Sequence, residues 1–175
     1  IMLNTVMEKA VQVQSLVKKF GSVTAVSEIS FDVWRGEIFG ILGPNGAGKT
    51  TTLEIIEGLQ SPTQGSVAVL GMDILEDSTR VKASIGVQLQ SSAYHDYLTL
   101  REILGLFGSF YPRQLDPDDL LDQVGLLDRA NSRVKQLSGG QKQRFTGAAS
   151  LVNSPELVIL DEPTTGLDPV SYTHL

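Results

Sequence analysis

Gly43-Pro44-Asn45-Gly46-Ala47-Gly48-Lys49-Thr50 satisfies the pattern G-x-x-x-x-G-K-[ST] at every fixed position. The chemistry that suits this spacing is the holding of a polyphosphate. Glycines let the backbone curl until successive N–H groups converge, and a helix that follows points its positive end at the same place. Lys49 is then placed to reach the β- and γ-phosphates, and the Thr50 hydroxyl to ligate Mg²⁺. The flanks agree with this reading. The apolar run Ile38, Phe39, Ile41, Leu42 predicts a strand buried on both faces that leads into the loop. After the loop, Leu53, Ile56 and Leu59 stand at helical spacing.

A phosphate loop alone allows a kinase, a GTPase or an ATPase. A second site narrows the choice. Leu157-Val158-Ile159-Leu160 reads as another buried strand, and it runs straight into Asp161-Glu162. Open α/β sheets place their chemistry at that carboxyl end. Asp161 is expected to hold the metal through water. Glu162 points to a different face and is expected to polarise the attacking water as general base, a role worth about 10²–10⁴-fold in rate. The implied reaction is in-line attack of water on the γ-phosphate of a Mg-nucleotide.

Ser138-Gly139-Gly140-Gln141 is a second glycine-bearing element. Its Ser-x-x-Gln spacing is a capping box, with Ser138 as N-cap and Gln141 as the third helical residue. Phe145, Ala148, Ala149 and Val152 form the expected buried face. Glycines in the first turn cost helix stability but leave the amides bare, so the hydroxyl, amides and helix dipole together suit an anion. Read alone, the same residues fit a plain capped helix better than an anion site.

These groups need elements to carry them. Val11 and Val13, then Ile29, Phe31 and Val33, alternate with polar residues, which predicts antiparallel strands with one wet face. Gly65–Gly71 predicts a further strand. Thr99 with Glu102 is a capping box ahead of Leu100, Ile103, Leu104 and Phe107. Asp116 and Pro117 open another helix, with Leu120, Leu121 and Val124 as its stripe. The aspartates there read as an acidic first turn, and His95 as an exposed loop residue. Helices fill the stretch between Gln90 and Pro155, so the expected class is α/β.

Bulk properties set limits. The 175 residues, 41% of them apolar, suit one domain with a real core. A net charge of −6 and a sequence pI near 4.8 argue against a sequence-blind grip on nucleic acid. There is no cysteine, which excludes disulfides and thiolate metal sites. No apolar run approaches the roughly 18 residues that span a bilayer.

With Gly43–Thr50, Leu137-Ser138-Gly139-Gly140-Gln141 and Leu157–Glu162 in this order, the chain resembles the ATP-binding cassette ATPases. The likeness runs nearly the whole chain, to about Pro169. It implies a P-loop NTPase core with a parallel sheet, an N-terminal antiparallel β-subdomain and an inserted α-helical subdomain at about 91–154. It implies ATP and Mg²⁺ as the bound species. It also answers what the second glycine pair is for. Two cassettes pack head-to-tail, so Ser138, Gly139, Gly140 and Gln141 would close on ATP held by the opposite phosphate loop.

The resemblance carries over further positions. Phe20 would stack on adenine, although by itself it reads as well as a core residue. Thr51 would touch the α-phosphate. Gln90 matches the glutamine that senses magnesium and the nucleophilic water, with Gln88 as a nearby rival, and Asp168 matches an aspartate at the dimer interface. Residues 91–104 would meet a transmembrane permease. The general style resembles bacterial exporters of the drug and ABC-2 group, with the ATPase peripheral on the cytoplasmic face of the membrane. A cassette ATPase serving translation or DNA maintenance is the rival. Residues 51–136 leave no room for the long coiled coil of the DNA-associated type. A module that binds without hydrolysing is a third reading.

One expected part is missing. The family has a switch histidine on the strand after Gly166-Leu167-Asp168-Pro169, and His174 follows Asp168 too soon to be it. Ser171-Tyr172-Thr173-His174-Leu175 does not read as the family's continuation. The expectation is a cassette over 1–169, incomplete at its C-terminus, with an atypical tail at 170–175 and impaired activity in isolation.

Overall fold

The computed structural model describes residues 8–88 and 94–161. It divides into two compact units, 1–82 and 83–175.

In the first unit, β1 (Lys9–Phe20) and β2 (Val23–Trp34) form a hairpin closed by Gly21 and Ser22. The order of the four-stranded antiparallel sheet is β2-β1-β3-β4, with β3 at Gln64–Val69 and β4 at Met72–Asp73. Val11 faces Val33 on one side and Val69 on the other; Val13 faces Phe31 and Val67. Side chains alternate along a strand, so these valines share one face and are buried together with Leu16. Helix α1 (Lys49–Ile56) packs on β2 and β3.

Two expectations fail here, for physical reasons. The run Ile38–Leu42 carries no strand, and Ile38 and Leu42 are fully open to solvent. A buried strand is held by neighbours that hydrogen-bond to it, and among the described residues no strand pairs with this run. Helix α1 also turns a different face inward. Thr52, Ile55 and Ile56 are buried, whereas Leu59 is exposed. The helix stops before Leu59. The amides of Gly58 and Leu59 donate back to the Ile55 and Glu54 carbonyls at 3.0 and 2.8 Å, closing the helix in a Schellman motif with Gly58 in the left-handed region.

Helix α2 (Ser78–Ser84) leads to the second unit, in which β5 (Ile85–Gln88) pairs in parallel with β6 (Leu157–Leu160). Helices α3 (Leu100–Gly108), α4 (Pro117–Gln123) and α5 (Gly139–Ala149) pack together. Their core is Leu100, Ile103, Leu104, Leu120, Leu121, Leu126, Phe145, Ala148 and Val152. Both capping signals form as the sequence predicts. Thr99 Oγ1 accepts from the Glu102 amide at 3.3 Å while the Glu102 carboxylate accepts from the Thr99 amide at 2.8 Å. Asp116 caps α4 with Pro117 in its first turn. Across the bundle, Arg101 holds Asp118 with two bonds of 2.6 and 2.9 Å, tying α3 to α4.

β6 differs from the strand read in the sequence. Ile159 is buried, but Val158 and Leu160 are exposed, so the strand has one covered face rather than two. A four-residue apolar run reports strand character, not how many layers lie against it. Neighbouring β5 contains Gly86, where an added Cβ would lie 2.0 Å from the Ser150 carbonyl oxygen. That contact seats the C-terminal end of α5 directly on the strand. Asn153 secures the same corner, donating to the Ala83 and Ile85 carbonyls at 3.1 and 2.8 Å.

Candidate functional site

The phosphate loop is built by two left-handed glycines and a lysine. Gly46 and Gly48 have φ of 81° and 84°, conformations that cost a side chain about 1–2 kcal/mol. At Gly48 there is also no room. A Cβ would stand 2.2 Å from the Ala25 carbonyl oxygen on β2, so the loop's last turn rests against the sheet backbone. Gly48 is the N-cap of α1, and its carbonyl accepts both the amide and the hydroxyl of Thr52 at 2.8 Å. That buried hydroxyl was not singled out from sequence; a third threonine in the helix's first turn was the available signal.

Lys49 folds back along the loop. Its Nζ donates to the Gly43 and Pro44 carbonyls at 2.9 and 3.0 Å. The ammonium therefore lies within the curl of the backbone, with Gly43 to Ala47 exposed around it. Thr50 is exposed and Thr51 half-buried, on the first turn of α1. Such a concave, glycine-shaped backbone with an internal cation fits a phosphate chain. Phe20 ends β1 beside the hairpin turn. The residue is 47% exposed, which settles its even reading against the core, and Lys18 Nζ lies 4.9 Å from its ring centroid.

In the second unit Asp161 follows β6 directly and is half-buried; its amide donates to the Gln88 carbonyl at 3.2 Å. Thr50 and Asp161 both offer the hard oxygen donors that magnesium prefers. Among the described residues no group of three or more acidic or histidine side chains stands ready to hold a metal by itself. Gln88, the rival glutamine, is buried. Gln90, Glu162 and Asp168 lie outside the described residues, as does His174. His95 is exposed, as read from the sequence.

The N-terminus of α5 is open. Ser138, Gly139 and Gly140 are all exposed, and nothing lies within 4 Å of a Cβ placed on Gly140. Gln141 and Ser138 cap each other reciprocally. The Gln141 amide donates to Ser138 Oγ at 3.3 Å, and the Ser138 amide to Gln141 Oε1 at 2.9 Å. The first intrahelical bond runs from the Lys142 amide to the Ser138 carbonyl at 2.9 Å, so the amides of Gly139 and Gly140 precede the ladder and point outward. Behind this cap, Phe145 and Ala148 are fully buried and Ala149 only partly so. Arg144 fastens the helix to its neighbour, donating to the Val124 and Gly125 carbonyls at 2.6 and 3.3 Å.

A lysine-filled phosphate loop at the head of a helix, an antiparallel sheet, and a parallel strand pair ending in a carboxylate define a P-loop α/β nucleotide-binding fold. The chain is more closely placed than that. The ABC transporter family matches it over residues 26–165, and the chain belongs to that family. The linearmycin resistance ATP-binding protein LnrL of Bacillus subtilis is 39% identical over 94% of this chain and 54% of its own length. Nod factor export ATP-binding protein I of Paraburkholderia xenovorans is 42% identical over 93% of this chain and 55% of its own. Among solved structures, the dimeric post-hydrolysis state of the ATP-binding cassette MJ0796 bound to ADP and Pi superposes with a TM-score of 0.79 at 30% identity, over 92% of this chain and 77% of that one. The chain thus spans about half the length of the curated relatives it matches. Among the described residues, no helix is long and apolar enough to cross a membrane.

Proposed function

We propose that this chain binds and hydrolyses ATP as the nucleotide-binding part of a membrane transporter, and that two such cassettes share each nucleotide. The observation that carries the reading is the open N-terminus of α5, with its capped serine and two bare glycine amides. A helix start built only to be capped needs no such exposure of two consecutive glycines.

In this reading Gly43 to Thr51 hold the phosphates of ATP, and Lys49 exchanges the loop carbonyls for the β- and γ-phosphate oxygens. Phe20 stacks on the adenine. Thr50 and Asp161, with Gln90, hold Mg²⁺, which would neutralise charge on the β- and γ-phosphates. Glu162 takes the proton of the attacking water. Ser138, Gly139, Gly140 and Gln141 of a second cassette then donate to the γ-phosphate, with Asp168 at the shared interface. Charge that develops on the transferred group is met by donors already in place, the term that dominates catalysis of this kind.

Likeness to the linearmycin resistance and Nod factor export proteins favours export through a membrane permease, with the cassette on the cytoplasmic face. The dimeric form of the MJ0796 cassette favours a pair of cassettes. The decisive test uses the full-length protein. Lys49→Ala abolishes ATP binding, whereas Glu162→Gln keeps ATP and accumulates as a dimer on sizing. A Glu162→Gln protein that stays monomeric in saturating ATP would refute shared sites. Co-purification with a polytopic membrane protein tests the transport role, and recovery with ribosomes instead would overturn it.

A further inference from the structure

The helix that carries Ser138 is braced by a side chain that the reaction just described does not use. The Tyr94 hydroxyl donates to Thr146 Oγ1 at 3.2 Å. Thr146 Oγ1 donates onward to the Lys142 carbonyl at 2.9 Å. The polarity of this relay is forced. A carbonyl can only accept, so the threonine proton goes to Lys142 and its lone pair is left for the phenol. The ring of Tyr94 is equally constrained. Its centroid lies 5.2 Å from that of Phe145 in an edge-on pairing and 6.1 Å from that of Phe107 on α3. Phe145 is fully buried, so the ring rests on a fixed abutment.

The relay ends one turn from the cap. It stops at the Lys142 carbonyl, and the amide of the same residue, one α-carbon away, donates to the Ser138 carbonyl at 2.9 Å, so the braced turn 142–146 directly follows the turn that Ser138 caps. A threonine hydroxyl bonded to the carbonyl four residues earlier bends a helix. A donor feeding that hydroxyl polarises it and strengthens the onward bond. Tyr94 also stands four positions after Gln90 in the chain.

We infer that Tyr94 is a positioning residue: through Thr146 it sets the tilt of the first turns of α5, and so the place of the Ser138 hydroxyl and the Gly139 and Gly140 amides over ATP held by a second cassette. The inference rests on the shared-site reading proposed above. Ser138 lies eight residues from Thr146, or about 12 Å along the axis at about 1.5 Å per residue. A tilt of about 5° therefore moves the cap about 1 Å, a misplacement that costs on the order of 10²-fold at a reacting centre.

The test is made in the full-length protein. Tyr94→Phe, which keeps the ring packing, lowers ATP turnover at least tenfold at unchanged ATP affinity of the monomer. Thr146→Val reproduces the loss, Thr146→Ser restores turnover, and the double variant Tyr94→Phe/Thr146→Val is no worse than either alone. Mixed dimers of two tagged copies separate positioning from general damage. With Lys49→Ala silencing one phosphate loop, the live site uses the glycine pair of the silenced chain. Tyr94→Phe is then harmful when it shares a chain with Lys49→Ala and harmless when it sits on the other chain. Equal loss in both arrangements, or loss in neither, overturns the inference. Ser138→Arg in the same two arrangements is the control. If it shows no dependence on which chain carries it, the shared-site reading itself fails, and the Tyr94 inference falls with it.

Discussion

Gly140→Ala should raise stability and lower function, and the opposite signs make it a sharp probe. Gly140 is the second residue of α5, exposed, with no atom within 4 Å of an added Cβ. Alanine there restricts the unfolded chain without meeting anything in the folded one, a gain of up to about 1 kcal/mol. For a chain of this size that gain raises Tm by about 2–4 °C. The same methyl stands beside an amide that a γ-phosphate oxygen must approach to within about 3 Å. Loss of one charge-assisted hydrogen bond costs about 1.5–3 kcal/mol, or roughly tenfold and upward in affinity. Thermal melts and ATP-driven dimerisation in a Glu162→Gln background, both with the full-length protein, read the two effects. A lowered Tm would show that the helix start is not open as described. A raised Tm with dimerisation unchanged would show that its amides do not serve a nucleotide.

Three further outcomes follow from particular contacts. Gly46→Ala and Gly48→Ala both place alanine at a φ above 80°, but only the second also meets the Ala25 carbonyl at 2.2 Å. Gly46→Ala should therefore cost about 1–2 kcal/mol and Gly48→Ala clearly more, as denaturant midpoints will show. The Thr99 amide and hydroxyl hold the Glu102 carboxyl below its ordinary range. A folded-state value below the unfolded one means that this contribution is complete above the usual glutamate pKa of about 4.3 and is lost as pH falls through the lowered value. Amide protection factors at the start of α3 should fall in that acid window, and Glu102→Gln should remove that pH dependence. Arg144→Met loses both bonds to the carbonyls ending α4, and about 1 kcal/mol of stability is expected to go with them, measured by urea denaturation.

What the sequence determined by itself was chemistry completed within six residues. The capping boxes at Thr99–Glu102 and Ser138–Gln141, the Asp116-Pro117 helix start, and the lysine and glycines of the phosphate loop are all satisfied locally. Their residue types are therefore a sufficient code. Alternation did nearly as well for β1 and β2, because a two-residue period names the covered face directly. Tertiary structure decided the rest. Whether Ile38–Leu42 becomes a strand, or β6 is covered on one face or two, depends on which distant segments arrive to pair and pack. The same holds for the seat of Gly86 on Ser150, of Gly48 on Ala25, and for the bond from Tyr94 to Thr146. Contacts of this kind join residues far apart in the chain, and neither partner's neighbours carry any trace of the other.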